Sequence, residues 1–261
     1  MAECNSSKWP MEHKLKLTKD EKGKDVDPTH YRRLIGSLRY LIHTRPDLSY
    51  SVGVVSRFME KPKESHLAAV KHILRYIKGT IHYGLKYRSG GDGKLVGYSD
   101  SSFGTDISDG RGTTGTVFYL SGNLVTWSSQ KQRTVALSSC EAEFMAAAAT
   151  ACQALWLRNL ISEVTGTKAK CVKLLVDNEA AIALMKNPVF HGRSKHIDTK
   201  YHFIRECVER ELIYVEHVSG DLQKADILTK ALPRVKFGEM KTLVGVEDHE
   251  DTSSHQGENV G

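Results

Sequence analysis

The sequence predicts an α/β domain built on a mixed β-sheet and preceded by a helical segment, on three observations. From Lys94, the runs "KLVGYSDSSFG", "GTTGTVFYLSG" and "NLVTWSSQKQ" alternate in polarity and are separated by glycine-rich and Gly-Asn turns, the pattern of an antiparallel meander. Two later strand-like runs, "CVKLLVD" and "LIYVEHV", are interleaved with helical stretches. Before Lys94 the apolar period is helical, and prolines punctuate it.

The elements follow in order. Residues 1–25 are polar, lysine-rich and without period, and read as a linker. Asp27-Pro28 is a cap and first-turn pair opening a helix through "THYRRLIGSLRYLIH", and Pro46 restarts one through "DLSYSVGVVSRFM". A third helix, "SHLAAVKHILRYIKG", aligns Leu67, Val70, Leu74 and Ile77 in one stripe, with Lys71, Arg75 and Lys78 opposite. These helices make up a segment over 26–90. After the meander, "SSCEAEFMAAAATACQALWLRNLIS" is apolar nearly all round and is expected to be buried. "CVKLLVD" lacks alternation until its end, as in a central strand covered on both faces. Helices "NEAAIALMKN" and "DTKYHFIRECVER", the strand "LIYVEHV" and a last helix "QKADILTKAL" complete a domain over 94–234. The acidic tail, 238–261, is expected to be disordered.

Composition narrows the classes of function. With 261 residues and 40% hydrophobic content the chain can bury one good core or two small ones. No apolar run approaches the roughly 18 residues of a membrane span, and the first residues lack the apolar core of a signal peptide. An intracellular protein without a membrane partner is expected. Cys4, Cys140, Cys152, Cys171 and Cys207 are odd in number and include no CxxC pair, which suggests neither a disulfide framework nor a zinc knuckle. Residues 1–90 hold 18 Lys and Arg against 9 Asp and Glu, a balance of +9, while the remainder holds 19 against 22, a balance of −3. A basic first third suits a polyanionic partner.

Four carboxylates are the candidate site. Asp100 and Asp177 each sit at the end of an apolar strand, and in open α/β sheets that carboxyl-end crevice is where ligands bind. The long helix offers two acids. Ser138 as N-cap with Glu141 three residues on is a capping box, which gives Glu141 a structural role. Glu143 lies about 200° further round the helix and has no such role. For Asp226 the competing reading is an i,i+4 ion pair with Lys230. Four like charges at one sheet edge repel unless a cation joins them, and an all-oxygen set suits Mg²⁺ or Mn²⁺ rather than zinc.

In this order, "GYSDSSFG", "TWSSQKQRTVALSSCEAEFMAA", "LLVDNEAAIAL", "SKHIDTKYHFIRE" and "QKADILTKAL" resemble the ribonuclease H domain of copia-type LTR retrotransposon polyproteins. "YRRLIGSLRYLIHTRPDLSYSVGVVSRFM" and "HILRYIKGTIHYGLKY" resemble the segment joining that family's reverse transcriptase to its ribonuclease H. The resemblance implies a ribonuclease H-like five-stranded mixed sheet and cleavage of the RNA strand of RNA–DNA hybrids with two Mg²⁺ ions. It implies Asp100, Glu143, Asp177 and Asp226 as catalytic metal ligands, with Asp100 touching both ions, Asp226 the ion that activates water, and Glu143 with Asp177 the other. The resemblance also implies the rest of a reverse transcriptase as a partner.

The chain also departs from that family. It contains no Asp-Asp dipeptide, so polymerisation is not expected of it. Cellular ribonucleases H carry a mobile His shortly before the last Asp, whereas "VSGDLQK" has none, and His217 is expected in or at the end of a strand. His191, His196, His202 and Cys207 raise zinc as an alternative, but His196 and Cys207 lack finger-like spacing relative to a second Cys pair, and "SKHIDTKYH" is expected to contact a hybrid or pack helices. Two other readings are a non-catalytic nucleic-acid-binding remnant of a decayed element and an integrase-type strand transferase.

Overall fold

The computed structural model describes residues 3–19, 22–168, 170–186 and 195–249, with the backbone alone at 195–199 and 201. Helices α1 (Pro28–Leu41), α2 (Ser49–Val55) and α3 (Glu64–Lys78) precede strands β1 (Tyr83–Leu85), β2 (Leu95–Ser101), β3 (Thr113–Leu120) and β4 (Asn123–Lys131). Then come α4 (Ser139–Thr165), β5 (Val172–Val176), α5 (Glu179–Lys186), α6 (Lys195–Glu209), β6 (Ile213–His217), α7 (Arg234–Val244) and β7 (Val246–Asp248). They form two compact units, one of residues up to Tyr87 with those from Ala231 onward, the other Arg88–Lys230. Among the described residues no helix is long and apolar enough to cross a membrane.

In the first unit Asp27 caps α1, its two carboxylate oxygens accepting from the Thr29 and His30 amides at 2.9 and 3.2 Å, with Pro28 in the first turn. The buried face of α3 differs from the expected stripe. His66, Ala69, Val70, Ile73 and Tyr76 are buried, while Leu67, Leu74 and Ile77 are only half-buried. Satisfied polar side chains turn the helix. The His66 ring stacks on Phe58 at 3.9 Å and accepts from the Lys63 amide, and the Tyr76 hydroxyl donates to Asp47, whose two oxygens also take the Arg45 guanidinium. An apolar count misses a face built partly from a His and a Tyr, because buried polar groups are tolerated once hydrogen-bonded.

Both ends of the chain depart from expectation. The first residues are tied to α3 rather than loose: the Ser7 amide donates to the Arg75 carbonyl at 3.1 Å, and the Ser7 hydroxyl and His72 Nε2 share the Trp9 carbonyl. Arg75 and Lys78 donate to the Asn5 and Cys4 carbonyls at 2.7 and 2.9 Å, so two of the three cations expected to face a polyanion hold this segment. At the other end, α7 continues past Gly238 and closes on Gly245 at φ +101°, after which β7 pairs antiparallel with β1. Phe237, Met240, Val244 and Val246 are buried, an apolar series that the acidic composition of the tail concealed. Residues 250–261 of the expected tail lie outside the described residues.

The second unit holds the five-stranded mixed sheet that the sequence led one to expect, in the order β4-β3-β2-β5-β6. The β2–β3 and β3–β4 pairs are antiparallel, and β2–β5 and β5–β6 are parallel. Phe144, Ala147, Ala148, Ala151, Ala154 and Leu157 of α4 share one core with Phe118, Leu174 and Val176 of the sheet. The alanines let the helix lie close. Gly97 is required beneath it, because a Cβ there would meet Phe118 Cε1 at 2.5 Å and Leu174 Cδ2 at 2.7 Å. The C-terminal half of α4 is not buried all round: Trp156 is 57% and Val164 77% exposed. The "QKADILTKAL" segment is a single 3-10 turn, Asp226–Leu228, rather than an α-helix. The Gln223 side chain donates to the Ser99 carbonyl at 2.9 Å and accepts from the Ala225 amide at 3.2 Å, pinning the turn to β2.

Candidate active site

Asp100 is the penultimate residue of β2, and Asp177 directly follows β5. The strands are parallel neighbours with Ser99 opposite Val176, so both carboxylates emerge at the same end of the sheet. Glu143 descends from the second turn of α4. One oxygen of each of these three acids lies within 4.8 Å of the others. Asp226 is outside that group but acts electrostatically on Asp100 and Asp177. Glu141 is occupied elsewhere: its carboxylate accepts from the Leu137 amide at 3.0 Å and its own amide donates to Ser138 Oγ at 3.1 Å.

Three of the four acids are buried, and they repel one another. Asp100, Glu143 and Asp226 are 2%, 6% and 7% exposed. Glu143 Oε1 accepts from the Ser101 amide and hydroxyl, both at 3.0 Å, while its Oε2 is buried without a hydrogen-bond partner. Asp100 Oδ2 accepts from the Thr229 hydroxyl. Burial, reinforced by Glu143 and Asp226, pushes Asp100 well above the usual carboxylate range. Burial and then Asp177 push Glu143 up to about 8, and burial and then Asp226 raise Asp177.

The competing reading of Asp226 is realised in the geometry. Lys230 Nζ lies 2.6 Å from Asp226 Oδ1. Burial by itself would lower this ammonium; Asp100, Asp226 and Asp177 outweigh it and raise its pKa. The acids thus converge around a cation already present, and their contact is part of the site rather than an alternative to it.

Sequence reasoning missed Ser101, Gln223 and Thr229 as supporting residues, and it read Lys230 only as a rival explanation of Asp226. Each is marked only by adjacency to a candidate acid or by a long-range contact. His217 ends β6 in register with Val176, and its charge acts on Asp177. His202 is exposed and Cys207 buried, whereas His191 and the His196 side chain lie outside the described residues.

These shifts predict a pH dependence. Folded Asp100, Glu143 and Asp177 hold protons that the unfolded chain has released, so stability falls as pH rises. The loss begins as pH passes through the unfolded carboxylate range and continues at least until Glu143, at about 8, has ionised. Urea midpoints of metal-free protein should therefore decline from about pH 5 to about pH 9. Saturating Mg²⁺ should flatten that decline, and a midpoint equally flat in a chelator would contradict the assigned shifts.

An unpartnered, buried Glu143 oxygen among carboxylates that resist ionisation fits a divalent cation, and the donor set is all oxygen. No protein-family model matches the chain. It is 42% identical over 237 residues to the "Retrovirus-related Pol polyprotein from transposon RE1" of Arabidopsis thaliana, covering 91% of this chain and 16% of that protein. It is 41% identical to the corresponding polyprotein from transposon TNT 1-94 of Nicotiana tabacum, covering 92% of this chain and 18% of that one. The chain thus spans under a fifth of the length of these relatives. Among solved structures it is similar to the ribonuclease H1 LC11, isolated from compost, at 20% identity and a TM-score of 0.40, covering 53% of this chain and 94% of that one.

Proposed function

Because the chain belongs to the retrovirus-related Pol polyproteins of copia-type transposons and its α/β unit has the ribonuclease H-like fold, we propose that residues 94–234 form a metal-dependent endonuclease cutting the RNA strand of RNA–DNA hybrids. Residues 26–90 are then the remnant of the connection to a reverse transcriptase. The carrying observation is the buried Glu143 Oε2, without a hydrogen-bond partner, beside Asp100 and Asp177. Asp100, Glu143 and Asp177 would hold one divalent ion, with Asp100 and Asp226 the candidates for a second; Mg²⁺ is the natural occupant, with Mn²⁺ a substitute. Such ions align water, phosphate and leaving oxygen for in-line cleavage.

The chain's own residues prepare that chemistry. Ser101 fixes Glu143 Oε1 through two hydrogen bonds, leaving Oε2 free for a cation. Thr229 holds one oxygen of Asp100 and, through its bond to the Asp226 carbonyl, ties that strand end to the turn bearing Asp226. Burial keeps competing water from the carboxylates and strengthens their pull on a cation.

The test is incubation of the folded full chain with a labelled hybrid and Mg²⁺. The RNA strand should be cut, duplex DNA should survive, and a chelator should abolish cutting, since shape and 2′-hydroxyl contacts distinguish RNA from DNA. Hybrid binding without cleavage would make the chain a non-catalytic remnant. Cutting and joining of duplex DNA would favour a strand transferase.

A further inference from the structure

We propose that Lys230 is a built-in counter-cation occupying the Asp226 side of the acid cluster, so that a second divalent ion binds only by expelling its ammonium. The inference rests on the metal-dependent reading above and deepens it by making the two positions unequal.

The asymmetry lies in the contacts. Asp100, Glu143 and Asp177 bring oxygens within 4.8 Å of one another, and Glu143 Oε2 has no hydrogen-bond partner to surrender. A first ion entering there displaces no ion pair. Asp226 instead has its Oδ1 2.6 Å from Lys230 Nζ, and the Asp226 side chain is nearly buried. A second ion held by Asp100 and by Asp226 Oδ1 would have to break that pair. Lys230 has an exit, because its side chain is 44% exposed and its stem is a flexible four-carbon chain. A lysine rather than an arginine suits this role, since an ammonium is a point charge without the fork that locks a guanidinium onto a carboxylate.

The arrangement also accounts for how a buried Asp226 persists without metal. A carboxylate 7% exposed beside two other acids needs a cation, and Lys230 supplies one from four residues along the same chain segment. Single charge and one short contact make it a replaceable occupant, where a second carboxylate-bound metal would be a tighter one.

The experiment is Mn²⁺ binding to the full chain by calorimetry and electron paramagnetic resonance. The wild type should show a tight and a weak class of site. Lys230→Gln should tighten the weak class about tenfold, as expected for removing one close competing charge, and move the tight class less than about twofold. Lys230→Arg, which keeps the charge, should leave the weak class weak or weaken it further. Asp226→Asn should remove the weak class and spare the tight one. Since Lys230→Gln leaves Asp226 without its counter-ion and can cost stability, a second measurement uses the wild type alone. During titration with diamagnetic Mg²⁺, the side-chain NMR signal of Lys230 should shift with the weak phase and not with the tight one. Two Mn²⁺ classes that are identical in wild type and Lys230→Gln, or a Lys230 signal that follows the tight phase, would overturn this inference alone. A wild type that binds no Mn²⁺ would overturn the metal-dependent reading beneath it.

Discussion

Replacing Asp100 by Asn should lower hybrid cleavage at least a hundredfold, roughly 2.7 kcal/mol of barrier, while leaving the metal-free fold as stable as before or more so. The two effects have one origin. Asp100 is 2% exposed and faces Glu143 and Asp226, so its charge is costly unless a metal shares it. An Asn keeps an oxygen to accept from the Thr229 hydroxyl but removes the charge a cation needs. Glu143→Gln should be comparably damaging. Glu141→Gln should cost little activity, since Glu141 serves the start of α4 by accepting from the Leu137 amide. Cleavage rates and urea midpoints of the three variants check this. Abolished cleavage in Glu141→Gln with intact cleavage in Glu143→Gln would assign the site to the wrong glutamate.

Gly115→Ala should disable the site without touching a carboxylate. Gly115 lies directly opposite Asp100 in the β2–β3 pair. A Cβ there would meet Thr229 Cγ2 at 2.6 Å, the Ala225 carbonyl oxygen at 2.8 Å and Leu228 Cβ at 3.1 Å. The carbonyl is backbone and cannot rotate away, so the turn carrying Asp226 and Thr229 must shift outward. Overpacking of this kind costs about 1–3 kcal/mol of stability. Displacement of a site residue by about 1 Å can cost roughly a hundredfold in rate, so the activity loss should exceed what the lost stability explains. The comparison is Gly36→Ala in α1, where a Cβ meets nothing within 4 Å and the substitution should be neutral or stabilising. A folded Gly115→Ala protein that cleaves hybrid at the wild-type rate would show that the turn has room to spare.

Much of this was legible in the residues alone. The alternation and glycine turns of the meander, the unalternated "CVKLLVD" and the interleaved helices suffice for the mixed sheet, because period 2 and period 3.6 are local properties of a chain. The same local reasoning separates Glu141 from Glu143, since a cap requirement and a rotation of about 200° need no tertiary knowledge. It places Asp100 and Asp177 at strand ends as well, where two parallel strands bring them to one crevice.

Other features were decided only by the fold. Gln223 pins the Asp226 turn through a bond to Ser99, 124 residues away, and Thr229 reaches Asp100 across 129 residues. No periodicity reports such a contact. The expected buried stripe of α3 failed for a related reason: hydropathy ranks a His and a Tyr as poor core residues, but the Lys63 amide and the Thr18 carbonyl satisfy the His66 ring, and Asp47 accepts from Tyr76, in the interior. Arg75 and Lys78 looked like a surface for a polyanion until the Asn5 and Cys4 carbonyls appeared beside them. Lys230 was visible as an i,i+4 neighbour of Asp226, yet whether that pair was an ordinary surface contact or the cation inside an acid cluster depended on burial. Spacing along the chain determines which charges can meet, whereas the dielectric around them, and hence what their meeting does, is set by everything packed from elsewhere in the sequence.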